Sequence, residues 1–167
     1  MAGLGTGAAP FRAFIQERAW QKAQGKEVGP LVYYFGSRHR GQEYLYGEEL
    51  EAYFKEGVVT HLGLAFSRDT DKKVYIQHKI QEDGQLLAKL LGPDNGAFFL
   101  CGPSTSSHPL DIAVDLCLPQ NRSTAWPVPD VYEALVKAFV GDGKTVEEAQ
   151  DYIETMKEAE RYVLEVY

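Results

Sequence analysis

The sequence predicts an α/β protein of three layers, in which helices cover both faces of a parallel β-sheet. Short apolar runs of strand length recur along the chain, and amphipathic segments of helical length separate them. Strands that alternate with helices of roughly ten or more residues are typical of βαβ units, whose strands pair in parallel. The length of 167 residues suits one domain with one sizeable core.

The first two thirds of the chain contain three predicted strands. They are the apolar runs at residues 31–36, 58–67 and 97–102, and the first of them, "LVYYFG", is typical of a strand buried on both faces. Helices are predicted at 11–24, at 44–57 where Gly57 closes the helix, and at 74–91 with a break at Gly84. Pro10 suits the first position of the first helix, and Gly25 ends that helix.

The last third begins with a proline-rich stretch at residues 103–129. Helices are predicted at 131–140 and 146–160, and Thr145 and Glu148 have the spacing of a capping box at the start of the second. The terminal "RYVLEVY" alternates apolar residues and predicts a last strand.

The chain opens on a glycine-rich turn, in which Gly3, Gly5 and Gly7 form a G-x-G-x-G pattern ahead of a helix. Such a turn lets the backbone approach a phosphate, and the helix start favours negative charge. Alone the motif is weak, and it departs from G-x-G-x-x-G. Because only Met1 and Ala2 precede it, we expect the first strand to be largely missing. A sheet of order 3-2-1-4-5 would then have a gap between residues 31–36 and 97–101.

Composition and charge argue against several classes of function. The net charge of −7 disfavours nucleic acid as a partner. No apolar run is long enough for a membrane span, and no signal peptide is visible. The two cysteines form no disulfide framework, which favours a cytoplasmic location. The four histidines lack metal-ligand spacing, so no metal site is predicted.

A polar segment, "FSRDTDKKVYIQ", follows the run at 58–67. Ser67, Arg68 and Lys73 offer a hydroxyl, a guanidinium and an ammonium around one turn, which suits a phosphomonoester. Tyr75 on the next helix is available to stack on an adenine. The alternative is a solvated loop with ordinary surface charges, and composition alone favours it.

Five motifs in order and spacing carry a family resemblance: "GLGTGAAPFRAFIQER", "YYFGSRHRGQEYLYGEEL", "AFSRDTDKKVYIQ", "FFLCGP" and "RYVLEVY". The chain resembles the C-terminal NADPH-binding module of the diflavin reductases, within the ferredoxin–NADP reductase superfamily. The resemblance covers nearly all of the chain except residues 104–125. The terminal aromatic resembles the ending of the flavoprotein subunit of NADPH-sulfite reductase, and "CGP" and "WPVPDVYEAL" resemble the fungal form of that subunit. A cytochrome P450 reductase-like module is the alternative.

The resemblance implies a role for each matching residue. Gly5, Thr6 and Gly7 would face the pyrophosphate, and Arg38 would lie near the cofactor phosphates. The residues implied at the 2′-phosphate and adenine are Ser67, Arg68, Lys73, Tyr75 and, close by, Gln77. The resemblance also implies that Cys101 and Gly102 lie beside the nicotinamide and that Tyr167 stacks on the flavin. Glu165 stands where the family more often has an aspartate that assists hydride transfer.

The resemblance also implies cofactors, partners and a longer parent protein. NADPH would give hydride to FAD, which is held mainly by an FAD-binding domain of the parent, and electrons would pass to a siroheme-containing sulfite reductase subunit. The chain is then an NADP-binding domain over residues 1–167, a C-terminal fragment inactive as a reductase on its own. Residues 104–125 would be an inserted loop or translated intron. A non-catalytic nucleotide-binding fragment remains an alternative.

Overall fold

The computed structural model describes residues 1–102 and 128–166, and it contains one sheet of five parallel strands. The strands are β1 (Ala2–Leu4), β2 (Val32–Ser37), β3 (His61–Phe66), β4 (Phe98–Gly102) and β5 (Tyr162–Val166). Their order across the sheet is β3-β2-β1-β4-β5. The predicted α/β class with a parallel sheet is therefore confirmed.

Seven helices accompany these strands in the described ranges. They are α1 (Ala8–Ala23), α2 (Arg40–Glu43), α3 (Gly47–Lys55), α4 (Ile76–Glu82), α5 (Gly84–Leu91), α6 (Val128–Gly141) and α7 (Val146–Glu158), and a single 3₁₀ turn, Gly5–Gly7, joins β1 to α1. None of the helices in this part of the chain has both the length and the apolarity that crossing a bilayer requires.

Each face of the sheet has its own apolar core. On one face α1 and α3 cover the sheet with Phe11, Ile15 and Leu50, which pack with Tyr33 and Phe35 of β2. On the other face α4 to α7 pack against the sheet, and the buried residues there include Ile80, Leu135 and Ile153. The alternation of side chains along β2 serves both cores, which explains why this strand is apolar throughout.

The first strand is short, as expected, with three residues where β2 and β3 have six, but it lies between β2 and β4, so the predicted gap between those two strands is wrong. Ala2, Gly3 and Leu4 pair with Tyr34, Phe35 and Gly36 of β2, and Ala2 and Gly3 also pair with Leu100 and Cys101 of β4. Gly3 belongs to this strand and not to the turn that follows. A strand of three residues has too little sequence for a periodicity to show it, and here it forms because β2 and β4 satisfy its backbone on both sides.

Three predicted boundaries differ from the structure. The segment 44–57 contains only α3, which begins after Tyr46 in a left-handed conformation (φ 59°), while α2 lies ahead of it. The strand predicted at 58–67 begins three residues later, because the N–H groups of Val58 and Val59 donate to the carbonyl of Tyr53 at the end of α3. The break expected at Gly84 lies at Asp83, between α4 and α5.

The capping box at the start of α7 is confirmed. The Glu148 N–H donates to Thr145 Oγ1 at 3.2 Å, and the Thr145 N–H donates to Glu148 Oε2 at 2.8 Å. The stretch at 104–125, predicted as an inserted loop or translated intron, lies outside the described residues, as does Cys117 within it.

Candidate functional site

The topology places a crevice at the carboxyl ends of β1, β2 and β4. β1 lies between β2 and β4. The connection from β1 to β2 runs through α1 on one face of the sheet, and the connection from β3 to β4 runs through α4 and α5 on the other face. Ligands of open parallel sheets bind outside the carboxyl ends of the strands at such a switch point. Here the glycine turn after β1 fills that position, directly ahead of α1.

The glycine turn rests directly on the end of β4. A Cβ atom built on Gly7 would lie 2.3 Å from the Cys101 carbonyl oxygen, so only glycine fits there. Gly5 has φ +52°, a conformation that favours glycine, and Thr6 between them is exposed. The turn therefore brings backbone N–H groups and the start of a sixteen-residue helix to the solvent side of the switch point.

Cys101 and Glu165 lie side by side at the ends of β4 and β5. They are paired in the ladder between these strands, so both side chains project from the same face of the sheet. Burial raises the pKa of the Cys101 thiol above its ordinary value, and the Glu165 carboxylate raises it further. At neutral pH the buried thiol is thus protonated and uncharged next to an exposed carboxylate.

The loops that follow β2 and β3 continue the ladder beyond the strands. The Ser67 N–H donates to the Ser37 carbonyl at 3.0 Å, and the Arg68 N–H donates to the Arg38 carbonyl at 2.9 Å. Ser37 Oγ is buried and has no hydrogen-bond partner among the described atoms. Two arginines and two serines are thereby held together at the carboxyl end of adjacent strands.

Carboxylates that the sequence analysis missed fix these loops. Arg38 Nε donates to Glu43 Oε1 at 2.8 Å, and the Arg38 N–H donates to Glu43 Oε2 at 3.0 Å, which holds the pKa of Glu43 below its usual value. Asp69 accepts the Arg40 N–H at 2.9 Å, and His39 Nδ1 lies 3.1 Å from its other oxygen. The backbone bond from Arg40 is the main cause of a lowered pKa at Asp69. For the pair of Arg38 and Glu43, the only signal in the sequence is a glutamate five residues after the arginine.

Arg68 and Lys73 differ from Arg38 because no carboxylate of the described residues neutralises them. Both side chains are exposed, and neither makes a salt bridge within residues 1–102 and 128–166. The two cations bring positive charge to this corner, which also contains the neutral Ser67 hydroxyl, in a chain whose net charge is −7. Such a corner can bind a phosphomonoester through charge-assisted hydrogen bonds.

Tyr75 and Gln77, at the start of α4, differ in burial and in their hydrogen-bond partners. Tyr75 is half-buried, its N–H donates to His78 Nδ1 at 3.2 Å, and the two rings lie 5.8 Å apart. Gln77 is buried and its Nε2 donates to Asp130 Oδ2 at 3.1 Å, so its amide is directed towards α6. Gly36 leaves room for the first residue of α4, because a Cβ on Gly36 would lie 2.7 Å from Ile76 Cγ2.

The structure thus brings most of the predicted residues to one edge of the sheet, in two groups. Gly5, Gly7, Cys101, Gly102 and Glu165 lie around the ends of β1, β4 and β5. The loops after β2 and β3 carry the second group, which comprises Arg38, Ser67, Arg68, Lys73 and Tyr75. Tyr167 lies outside the described residues. No group of three or more His, Cys, Asp or Glu side chains suited to a metal ion occurs in the described part of the chain.

A known family accounts for this arrangement. A family model described as "Oxidoreductase NAD-binding domain" matches residues 1–105, which are well over half of the chain. The chain belongs to this family. The match contains the glycine turn, the loops after β2 and β3, and Cys101, whereas Glu165 lies outside the matched range.

Relatives of known function match the chain over its full length. The sulfite reductase [NADPH] flavoprotein component of Saccharomyces cerevisiae is 44% identical over 170 residues, and the probable sulfite reductase [NADPH] flavoprotein component of Schizosaccharomyces pombe is 41% identical over 167. The NADPH–cytochrome P450 reductase of Drosophila melanogaster is 39% identical over 168 residues. These relatives confirm the resemblance to diflavin reductases. The chain spans 14% of the length of the two fungal proteins and 22% of the length of the fly protein.

Proposed function

We propose that this chain binds NADPH for a flavoprotein reductase and holds its nicotinamide where hydride passes to FAD. The observation that carries the proposal is the positive corner formed by Ser67, Arg68 and Lys73 at the same sheet edge as the glycine turn. A 2′-phosphate distinguishes NADPH from NADH, and two cations without a carboxylate partner among the described residues favour the phosphorylated form. The domain assignment to residues 1–167 is part of this proposal.

The phosphates would be held by backbone and by cations. Gly5, Thr6 and Gly7 present the start of α1 to the pyrophosphate. Because Gly7 has no Cβ, the turn can lie directly against Cys101 of β4. Arg38, directly after the neighbouring strand β2, would exchange part of its contact with Glu43 for a phosphate oxygen. Tyr75 would stack on the adenine, and Gln77, buried against Asp130, would support the start of α4.

The nicotinamide would lie at the ends of β4 and β5. When bound, NADPH supplies the hydride and FAD accepts it. A protonated Cys101 and the small Gly102 offer an uncharged floor for the ring, and the Glu165 carboxylate beside them favours the positive charge that the ring gains on losing hydride. Tyr167 would cover the flavin and move aside for the nicotinamide; its role remains a prediction.

The parent protein is proposed from the relatives' names. Two of them are sulfite reductase flavoprotein components, which favours a parent that contains an FAD-binding domain and works with a siroheme-containing sulfite reductase subunit in the cytoplasm. The match to cytochrome P450 reductases favours the alternative of a P450 reductase-like module. Because the chain is a small part of each relative, we expect no reductase activity from the isolated chain.

Calorimetric titration with 2′,5′-ADP and, in parallel, 5′-ADP tests the nucleotide site. We expect 2′,5′-ADP to bind far more tightly, since each charge-assisted hydrogen bond contributes about 1.5–3 kcal/mol, or roughly 10- to 150-fold in affinity. Arg68→Ala should weaken 2′,5′-ADP by roughly tenfold or more and leave 5′-ADP nearly unchanged.

The matched control is Lys55→Ala, which removes one exposed positive charge at the end of α3. Equal affinity for the two nucleotides, or an equal loss in Arg68→Ala and Lys55→Ala, would contradict the assignment. Circular dichroism of each sample checks that the variants are folded.

A further inference from the structure

One side chain continues the hydrogen-bond ladder of β2 and β3 into the loops beyond these strands. Past the last pair of the ladder, Ser37 and Phe66, two backbone bonds join the loops, and there the backbone pairing ends. Arg40 and Asp69 are 29 residues apart, as are the paired residues of the two strands, so they stand in the same register. The Arg40 N–H donates to Asp69 Oδ2 at 2.9 Å, and a carboxylate thus replaces the backbone carbonyl as the acceptor.

Arg40 is a firmly anchored point on the loop after β2. Its guanidinium donates to Glu51 of α3 at 2.5 Å and lies over the rings of Tyr44 and Phe66, 5.4 and 5.7 Å from their centroids. The two rings contact each other edge to face and pack against the core under α1 and α3. Asp69 therefore ties the loop after β3 to a residue that other contacts already hold.

Both carboxylate oxygens of Asp69 are directed to the loop after β2. Oδ2 accepts the Arg40 N–H, and Oδ1 lies 3.1 Å from His39 Nδ1. The hydrogen bond from the Arg40 N–H is the main cause of the lowered pKa of Asp69, so this group is charged at neutral pH. Arg68, directly before Asp69, still has no salt bridge within residues 1–102 and 128–166. Asp69 fixes its loop without neutralising that arginine.

The charge of Asp69 by itself opposes the binding of a phosphate. Like charges repel, so a carboxylate one residue from Arg68 weakens the attraction of this corner for an anion. The charge-assisted bonds that hold a phosphate depend on donors placed at about 2.7–2.9 Å. Ser67 and Arg68 immediately precede Asp69, so the bond to Arg40 restricts where these two donors can lie.

We propose that Asp69 is a positioning residue for the 2′-phosphate of the cofactor, because it holds the loop after β3 against Arg40 so that Ser67 and Arg68 reach the phosphate together. The inference rests on the proposed function, since it assigns a role beside that same site. Asp69 does not contact the ligand and acts only through its neighbours. Its repulsion of the phosphate and its positioning of the donors have opposite effects on affinity, so substitution can separate them.

Calorimetric titration of the full chain with 2′,5′-ADP and with 5′-ADP, in three variants, separates the two effects. Asp69→Ala removes the charge and the acceptor together. Asp69→Asn removes the charge but keeps an oxygen that can accept the Arg40 N–H. The matched control is Asp71→Ala, because Asp71 is an exposed aspartate of the same loop and makes no hydrogen bond or salt bridge in the described part of the chain.

We expect Asp69→Ala to bind 2′,5′-ADP roughly tenfold or more weakly, the effect of one misplaced charge-assisted bond, with 5′-ADP changed by less than about twofold. Asp69→Asn and Asp71→Ala should bind 2′,5′-ADP as tightly as the unchanged chain or more tightly, since each loses a repelling charge. Equal affinities of Asp69→Ala and Asp71→Ala would overturn the proposal. An equal loss in Asp69→Asn and Asp69→Ala would do so too, because the acceptor would then not matter.

Amide hydrogen exchange without nucleotide gives a second readout of the same bond. Exchange at the Arg40 and Arg68 N–H groups should be faster by roughly tenfold in Asp69→Ala and unchanged in Asp71→Ala. Unchanged exchange at Arg68 in Asp69→Ala would contradict the positioning role, and circular dichroism checks that each variant is folded.

The titrations also distinguish this inference from the proposed function. If the unchanged chain binds the two nucleotides equally, the proposed 2′-phosphate site is wrong, and the role of Asp69 is wrong with it. If the unchanged chain prefers 2′,5′-ADP and Asp69→Ala keeps the full preference, the site is supported and only the positioning role is refuted.

Discussion

Two glycines of the nucleotide turn are required for different physical reasons. Gly5 has φ +52°, so its backbone conformation selects glycine, although a Cβ there would meet nothing within 4 Å. Gly7 has φ −62° and ψ −2°, which any residue adopts, but its Cβ would lie 2.3 Å from the Cys101 carbonyl oxygen. The second glycine is therefore a packing requirement that links the turn to β4.

Gly7→Ala should lower the free energy of unfolding by about 1–3 kcal/mol, because the turn must move away from backbone atoms that cannot yield. The measurement is urea denaturation followed by circular dichroism. Gly41→Ala is the control, since Gly41 is exposed, helical and has open space at its Cβ position, and we expect a change within about 0.5 kcal/mol. If the two variants lose the same stability, the contact with Cys101 is not the cause.

At this scale the sequence indicates the candidate nucleotide-binding residues, but not the carboxylates that hold their loops in place. Glycines, a serine and basic residues in one segment have a chemical pattern that can be recognised. The pairing of Asp69 with His39 and the Arg40 N–H depends on how two loops approach after two different strands. Nothing in the spacing along the chain encodes that approach.

Among the elements, α7 shows a start that is fixed by its own sequence. Thr145 and Glu148 satisfy each other's backbone N–H groups, and Glu147 and Glu148 add negative charge in the first turn. Such a device acts within four residues, so it could be predicted without knowledge of the fold. β1 is the opposite case, because its three residues become a strand only through β2 and β4.

Thr145→Ala should destabilise the chain by about 1 kcal/mol through the loss of the cap. Thr155→Ala is a matched control, because Thr155 is exposed within the same helix and its hydroxyl donates only to the Asp151 carbonyl one turn earlier. Chemical denaturation of both variants gives the comparison. A loss in Thr155→Ala as large as that in Thr145→Ala would show that the effect is not specific to the cap.

On the scale of the whole molecule, the central position of β1 places the α-amino group of Met1 inside the sheet. Burial lowers the pKa of this amine to about 5, from an ordinary value of 8.0. In the unfolded chain the amine binds a proton below pH 8, whereas in the folded chain it does so only below about pH 5. Between these values the unfolded state binds more protons, so the free energy of unfolding rises with pH.

We therefore expect stability to be greatest above pH 8, to fall as the pH decreases from 8 to 5, and to show no further loss from this group below 5. The full span corresponds to about 4 kcal/mol. Urea denaturation across this pH range measures it. The chain acetylated at Met1 is the control, since an amide carries no charge and still donates to Val32. Identical pH dependence of the two forms would contradict the buried amine as the source.

The strand order also determines when the protein can fold during synthesis. The pairing of Ala2 with Leu100 joins the second residue to the hundredth, and no local contact substitutes for it. During synthesis β1, β2 and β3 with α1 and α3 precede β4, so they can pack together before the core that also contains Cys101 is complete. One side of β1 has no strand to pair with until β4 has been translated. Contacts of such long range form slowly, so we expect the incomplete sheet to be the stage of synthesis that is most exposed to aggregation.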